Sequence, residues 1–472
     1  MIAREHDSLR RLRRMSREQI NQLIQAQKQY FAEGHTRDIT KRQQALYTLI
    51  DAIQQHEAAI VQALQLDLRK SETEAYVTEI GFTLAEARHL AKRLTRWAKP
   101  RKVKTALTHI GSRGMVVPEP YGTALIIAPW NYPFQLALAP LIGAIAAGNT
   151  AVLKPSEWTP HTSAVLSTII RDSFDPRYVA VVEGAVETSQ TLLELPFDYI
   201  FFTGSVGVGK KVMEAAAKRL IPITLELGGK SPCIVHQDAD IQLAARRIAF
   251  GKWTNAGQTC VAPDYIYVHH TRREALVQAL HEAVVSFYGQ KPLESDLYPS
   301  IVSNKHLARL TTFLDEGSIA WGGHVDADNR RMEPTVLTDV DWTMKVMEEE
   351  IFGPILPVLT YEHLDEVIHA VRARPKPLAL YLFTSEREVQ HSIIEQLSFG
   401  GGCVNDTLMH LATPYLPFGG VGESGTGRYH GKYSFDTFSH NKAVLYQTTA
   451  FDLSLRYPGV KNGLRWMKKL LR

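Results

Sequence analysis

A thiol, a carboxyl and an amide stand where each could do chemistry. Cys260 lies in Asn255-Ala256-Gly257-Gln258-Thr259-Cys260-Val261-Ala262-Pro263, a loop bounded by Gly and Pro between a helical stretch and an apolar strand. A loop cysteine is free to act as a nucleophile. Cys233, inside Pro232-Cys233-Ile234-Val235, reads as core, and Cys403, behind three glycines, reads as structural. A thiol that adds to a carbonyl needs a donor for the oxyanion it creates and a base to resolve the intermediate. Asn131, in Pro129-Trp130-Asn131-Tyr132-Pro133, is an amide held in a Pro-bracketed loop, and removing one pre-set donor of this kind typically costs about 2.7–4 kcal/mol. Its plainer reading is a turn-forming Asn. Glu226 ends the apolar strand Ile223-Thr224-Leu225-Glu226-Leu227. Burial there raises a carboxyl toward the range a general base needs; the alternative is a buried helix cap.

A second feature concerns phosphate. Residues 204–211 read Gly-Ser-Val-Gly-Val-Gly-Lys-Lys after the strand Tyr199–Phe202. Gly204 to Lys210 fits G-x-x-x-x-G-K, but Lys211 stands where a hydroxyl must hold magnesium, so a nucleotide triphosphatase is disfavoured. The glycine order also fails G-x-G-x-x-G. What remains is a strand, glycines and a helix start, whose free N–H groups and positive dipole end suit a phosphate or pyrophosphate.

These residues are positioned by two unlike regions. The first hundred residues read as helices, with Leu46, Leu49, Ile50 and Ile53, then Ile60, Ala63, Leu64 and Asp67, at helical spacing. From Pro100 onward, short Val- and Ile-rich runs (123–128, 150–153, 178–182, 199–202, 223–227) alternate with helices at 162–173 and 212–219. A second series (232–236, 265–269, 355–360, 379–384, 402–405) carries helices at 241–253 and 274–288. Such alternation implies right-handed β-α-β units and mostly parallel sheets. The series meet at Glu226-Leu227-Gly228-Gly229-Lys230, a hinge suited to line a cleft. The expected division is 1–227, 228–405 and 406–472, the last returning to the first domain.

Composition bounds the rest. The chain has 472 residues, 22% of them charged, and a net charge of +4, too balanced to imply nucleic acid. The cluster Arg10, Arg11, Arg13, Arg14 and Arg17 has no apolar stretch behind it and reads as a solvated helix face rather than a signal peptide. Three cysteines argue for a reducing, cytoplasmic setting. Residues 134–153 are apolar but broken by Pro140, Gly143, Gly148 and Asn149, which predicts a buried helix running into a strand, not a transmembrane segment. The basic, amphipathic 462–472 reads as a docked or frayed terminal helix, with contact to a lipid surface as the alternative.

Six motifs in order, Pro129–Pro133, Lys154-Pro155-Ser156-Glu157, Phe202-Thr203-Gly204-Ser205, Glu226–Lys230, Gly257-Gln258-Thr259-Cys260 and Glu350-Ile351-Phe352-Gly353-Pro354, resemble the aldehyde dehydrogenase superfamily. The short N-terminus, Gln258–Tyr265 and Leu416–Gly422 through His440 resemble its class 3 branch, which includes fatty and aromatic aldehyde dehydrogenases. The resemblance implies an α/β fold of two Rossmann-type parallel-sheet domains with a cleft between them and a small oligomerisation element. It implies NAD(P)-dependent oxidation of hydrophobic aldehydes to carboxylic acids without a metal. Cys260 would be the nucleophile, Asn131 and the Cys260 N–H the oxyanion donors, and Glu226 the base. Lys154 and Glu157 would hold the adenosine ribose, and Gly204, Ser205 and Gly209 the pyrophosphate. Glu350 would hold the nicotinamide ribose, with Phe352 beside it. A carboxylate at Glu157 repels a 2′-phosphate, so NAD is favoured and NADP secondary. The branch further implies a homodimer, with 102–117 and the C-terminal stretch at its interface. Tyr132, Trp253 and the apolar helix after Pro133 suggest an apolar substrate tunnel. A thiol hydrolase using Cys260 without redox chemistry is the remaining alternative, and no His lies near the site motifs to serve it.

Overall fold

The computed structural model describes residues 15–471. The run Arg10 to Arg14 lies outside them. Arg17 opens the helix Arg17–Ala32, which Ser16 and Gln19 start with a reciprocal capping box, and Arg17 pairs with Glu194 on the surface. Helices Ile39–Gln55, Glu57–Leu68 and Gly81–Trp97 follow, with Leu46, Leu49, Ile53, Ile60 and Leu64 in the core as their spacing requires. Asp67, also on that stripe, is buried for another reason. It accepts the N–H groups of His161 and Thr162 and so caps the distant helix Pro160–Ser173.

Two parallel sheets carry the site. In the first, strands Thr123–Ile127, Thr150–Lys154 and Val179–Val181 run outward in order. Tyr199–Thr203 and Ile223–Glu226 lie on the other side of Thr123–Ile127, and the short Gly425–Thr426 closes that edge antiparallel. The strand order therefore reverses between Thr123–Ile127 and Tyr199–Thr203, and ligands of open α/β sheets bind in the crevice beyond the carboxyl ends at such a point. Asn131 and Gly204 both follow strands that flank it.

The second sheet places Pro232–Val235 and Tyr265–His269 side by side, with Ile355–Tyr361 and Thr335–Thr338 on one flank and Ala379–Phe383 and Gly401–Val404 on the other. The chain passes from Glu226 to Pro232 with no intervening helix. The carboxyl end of the first sheet thus opens onto the amino end of the second. Thr335–Thr338 and the edge strand Ser318–Trp321, which pairs antiparallel with it, are two strands the sequence pattern does not reveal. A third, antiparallel sheet joins Arg101–Val103, Ser112–Pro120 and Ser439–Gln447, the last two paired in register from Ser439↔Pro120 to Gln447↔Ser112.

The apolar run resolves as expected into the wholly buried helix Gln135–Ala147 and the strand Thr150–Lys154. Among the described residues no helix is long and apolar enough to cross a membrane. The terminal stretch forms the helix Gly463–Leu470. Trp253 differs from expectation. It is fully buried, donates its indole N–H to the Pro354 carbonyl and packs on Trp321, so it belongs to the core and not to a tunnel wall.

Candidate active site

Cys260 sits in the loop between helix Ile241–Trp253 and strand Tyr265–His269, at the amino end of the second sheet and partly exposed. The loop is shaped by an unusual backbone. Asn255, Ala256 and Gly257 all take positive φ, at 54°, 51° and 75°. Such a run costs energy for residues with a Cβ and persists only where surroundings enforce it. At Gly257 a Cβ would lie 2.2 Å from the Gly353 carbonyl oxygen, so only glycine admits this approach. Thus the cysteine loop packs on the Glu350–Pro354 segment.

Asn131 comes to the same loop from the first sheet. It is buried, and its side-chain N–H donates to the Gln258 carbonyl at 3.0 Å, two residues before the thiol. An amide offers two N–H donors, so one remains for a substrate oxygen. Tyr132 bonds the Thr259 hydroxyl at 2.6 Å, tying the same two segments. Glu226, at the end of its strand, is buried with both carboxylate oxygens unpartnered by protein. Burial holds its pKa well above the usual carboxylate range. A buried oxygen without a partner is costly, and a carboxyl so placed is suited to take a proton from water. Burial also pushes the Cys260 thiol up, with the Glu350 and Glu226 carboxylates adding to the effect, while the N–H groups of Cys260 and Val261 oppose it. Cys260, Asn131, Glu226 and Glu350 are thus neighbours in the structure.

The remaining predicted residues lie at the carboxyl edge of the first sheet or across the cleft. Lys154 ends its strand, buried, with its ammonium 2.8 Å from the partly buried Glu157. Gly204 and Ser205 follow Tyr199–Thr203, and the helix begins at Val206, earlier than the glycines suggest. Gly207, Gly209 and Lys210 are helical, so this segment forms no phosphate loop of the triphosphatase kind. The Ser205 side chain does not cap this helix, which leaves its first N–H groups for a ligand. Gly209 is buried against Leu227. Uncapped helix donors, beside a Lys–Glu pair at a topological switch point, fit a phosphorylated dinucleotide.

Glu350 reaches in from the second sheet. A Cβ on Gly228 would lie 1.9 Å from its Oε2, and the Gly229 N–H donates to it. The Gly-Gly hinge is thus the seat of this carboxylate, whose pKa burial raises. Phe352, at φ 54°, meets Trp130 edge-on at 5.3 Å. Cys233 is core; Cys403 is partly exposed, its sulfur 3.5 Å from His410 Nδ1.

Several supporting residues have no role legible in the sequence, although Lys230, Gln258 and Asp264 stand in its motifs. Lys230 bonds Asp264 at 2.6 Å and the carbonyls of Val346 and Glu349; Asp264 accepts the Ile351 N–H; Arg309 holds the carbonyls of Glu350 and Ile351. The Gln258 side chain joins Asn255, Ser300 and Val302. Beneath Asn131, Lys70 and Glu79 form a fully buried ion pair at 2.6 Å.

Comparison with known proteins agrees with this geometry. The profile described as "Aldehyde dehydrogenase family" matches residues 3–444. The chain is 50% identical to the 4,4'-diaponeurosporen-aldehyde dehydrogenase of Staphylococcus aureus over 96% of this chain and 99% of that protein. It is 45% identical to aldehyde dehydrogenase family 3 member H1 of Arabidopsis thaliana, over 95% of this chain and 94% of the relative. The solved substrate-bound state of Staphylococcus aureus AldH superposes with a TM-score of 0.94 at 50% identity, covering 96% of this chain and 99% of that one. The NAD+ complex of an aldehyde dehydrogenase from Bacillus cereus gives 0.84 at 28% identity, covering 92% and 90%. The chain belongs to the aldehyde dehydrogenase family, on its class 3 branch, and is an NAD(P)-dependent enzyme of that family.

Proposed function

We propose that this enzyme oxidises hydrophobic aldehydes to carboxylic acids through a thioester on Cys260. The observation that carries the reading is the convergence of a partly exposed thiol, an amide with a spare N–H and a buried carboxylate without a protein partner. The Cys260 sulfur, having released its proton to solvent, adds to the aldehyde carbon, and the carbonyl oxygen takes the negative charge. The second Asn131 N–H and the Cys260 backbone N–H receive that oxyanion. Bound NAD(P) supplies the acceptor for the hydride that leaves the tetrahedral carbon. Glu226 then takes a proton from the water that hydrolyses the thioester, and the acid departs as the thiol is restored.

Lys154 and Glu157 hold the adenosine ribose, and Gly204, Ser205 and the first N–H groups of the helix lie against the pyrophosphate. Gly209, expected to join them, spends its N–H on the Ser205 carbonyl and is buried against Leu227, so it shapes the helix and does not touch the phosphates. Glu350 orients the nicotinamide ribose, with Phe352 packed beside it. The preference for NAD over NADP rests on Glu157. The hydrophobic substrate class is supported by the name of the Staphylococcus aureus relative. Homodimer formation is supported by the largely exposed outer strand Ser439–Gln447, and a cytoplasmic setting by three free cysteines. Division at 227/228 follows the passage between the sheets.

Adding a medium-chain or aromatic aldehyde to enzyme and NAD tests this. Cofactor reduction that disappears in Cys260→Ala, and an acyl adduct on Cys260 trapped by Glu226→Gln in mass spectrometry, are expected. Undiminished reduction by Cys260→Ala refutes the mechanism.

A further inference from the structure

The buried charges beneath the Asn131 loop are not used by the chemistry above. Lys70 follows the left-handed residue Arg69 at the end of helix Glu57–Leu68, and Glu79 lies in the π-helical turn Tyr76–Ile80. π-turns are rare and cluster at functional sites. Both side chains are fully buried, and an ion pair taken out of water is a poor source of stability compared with apolar residues of the same volume. What the pair holds is specific. Lys70 Nζ donates to the Asn131 carbonyl at 3.0 Å and lies 4.0 Å above the Tyr132 ring. Glu79 Oε1 accepts from Lys70, while Oε2 accepts the N–H groups of Phe134, at 2.8 Å, and Gln135. The two residues thus grip the loop at Asn131 itself and over the turn that follows it. From the preceding short helix, Glu74 accepts the Asn255 N–H at 2.9 Å, and Asn255 Nδ2 donates to the Asn131 carbonyl at 2.7 Å and to Gln258.

We propose that Lys70, Glu79 and Glu74 form a clamp of positioning residues that sets the Asn131 amide against the Cys260 loop. They touch neither substrate nor cofactor. Lys70 and Glu79 locate the Asn131 backbone, and Glu74 holds Asn255, the strained residue that links that backbone to the nucleophile loop. The inference rests on the reading of Asn131 as an oxyanion donor. Because positioning acts through one amide, its loss acts on the chemical step and not on cofactor binding.

The test is a double-mutant cycle in the full-length enzyme. Lys70→Met/Glu79→Gln removes both charges together and keeps an amide oxygen for the Phe134 and Gln135 N–H groups. Expected is a roughly 10–100-fold fall in kcat, with KM for NAD and the rate of Cys260 alkylation unchanged. In an Asn131→Ala background the same change costs less than about threefold, because the clamp has nothing left to position. A folded double variant with kcat within about twofold of the parent, or losses that multiply with Asn131→Ala, overturns the clamp. If Asn131→Ala itself is silent, the oxyanion reading fails and the clamp with it; that failure is recognised by which variant is silent. Should the double variant not fold, Glu74→Leu, at a partly exposed site, decides the matter. It lowers kcat several-fold and Glu74→Gln restores it; a silent Glu74→Leu overturns the clamp.

Discussion

The two walls of the cleft are built on opposite terms. Around Asn131 and Cys260 most buried polar groups are bonded within the chain, the Glu226 carboxylate and Asn255 Oδ1 excepted. Gln258, Asn255, Thr259, Lys70 and Glu79 are all buried and bonded, and the backbone is held in left-handed conformations that only dense packing can enforce. Around Ser205 the reverse holds. Ser205 is exposed, the helix it precedes is uncapped, and Val208 and Lys210 face solvent. The wall assigned to bond-making is preorganised, so little reorganisation remains when charge develops. The wall assigned to a dissociable cofactor leaves its donors open for a ligand to satisfy. Mutations in the first should damage folding and kcat, and those in the second should damage cofactor affinity.

Breaking a single charge in each wall gives the largest contrast. Lys70→Met strands the Glu79 carboxylate in a dry site, and about 3–5 kcal/mol of stability is expected to be lost in denaturant titration. Lys154→Met leaves a Glu157 that water reaches, so about 1 kcal/mol or less is lost; the main effect is a raised KM for NAD. Equal losses of stability at both sites would erase the distinction.

The contrast also decides what could be read from the sequence. Helix Ile241–Trp253 and strand Tyr265–His269 match the residues expected from their patterns, because burial and period agree there. The helix after Gly204 starts six residues before its expected place: two glycines in its first turns lower local propensity, and packing of Gly209 on Leu227 overrides it. Strands Ser318–Trp321 and Thr335–Thr338 escape notice because one is an exposed edge and both are four residues long. In the site, the residues set in Pro- and Gly-rich loops were legible because a functional group in a rigid loop stands apart from its surroundings. Lys70 and Glu79 were not. Nine residues apart in a helical region, they look like a solvated face, and only their mutual burial marks them.

The densely bonded side carries a second buried carboxyl, which tests the same idea through pH. Glu86 accepts the Gly431 N–H at 2.6 Å and the Ser434 hydroxyl, joining the early helices to the returning C-terminal segment. Burial pushes its pKa up to about 7 from an ordinary 4.5. Between those values the folded protein keeps a proton that the unfolded chain has released. Stability therefore falls as pH rises from about 4.5 to about 7 and is level above, by at most about 3 kcal/mol. Glu86→Gln, whose amide oxygen can still accept from Gly431, is expected to remove that slope. Denaturation midpoints at pH 5 and pH 8 that move as much in the variant as in the parent would exclude it. On the open wall, Gly209→Ala places a Cβ 2.5 Å from Leu227 Cδ2. The end of a leucine can move, so about 1–3 kcal/mol is expected, with a weaker NAD affinity measured by fluorescence titration.

The smallest effect probes the boundary between the walls. The Cys260 thiol is raised first by burial, then by Glu350 and then by Glu226, one carboxylate from each sheet. Neutralising either removes a charge that disfavours the thiolate, so the thiol titrates at lower pH in both Glu350→Gln and Glu226→Gln. The shift is expected to be under about one pH unit and larger for Glu350→Gln. It is read as the pH dependence of iodoacetamide alkylation in the absence of cofactor, where neither hydride transfer nor hydrolysis intervenes. An unchanged titration in both variants would mean that neither carboxylate acts on the nucleophile through its charge and that burial alone holds the thiol up. A larger response to Glu226→Gln would reverse their order and assign control of the thiol to the first sheet.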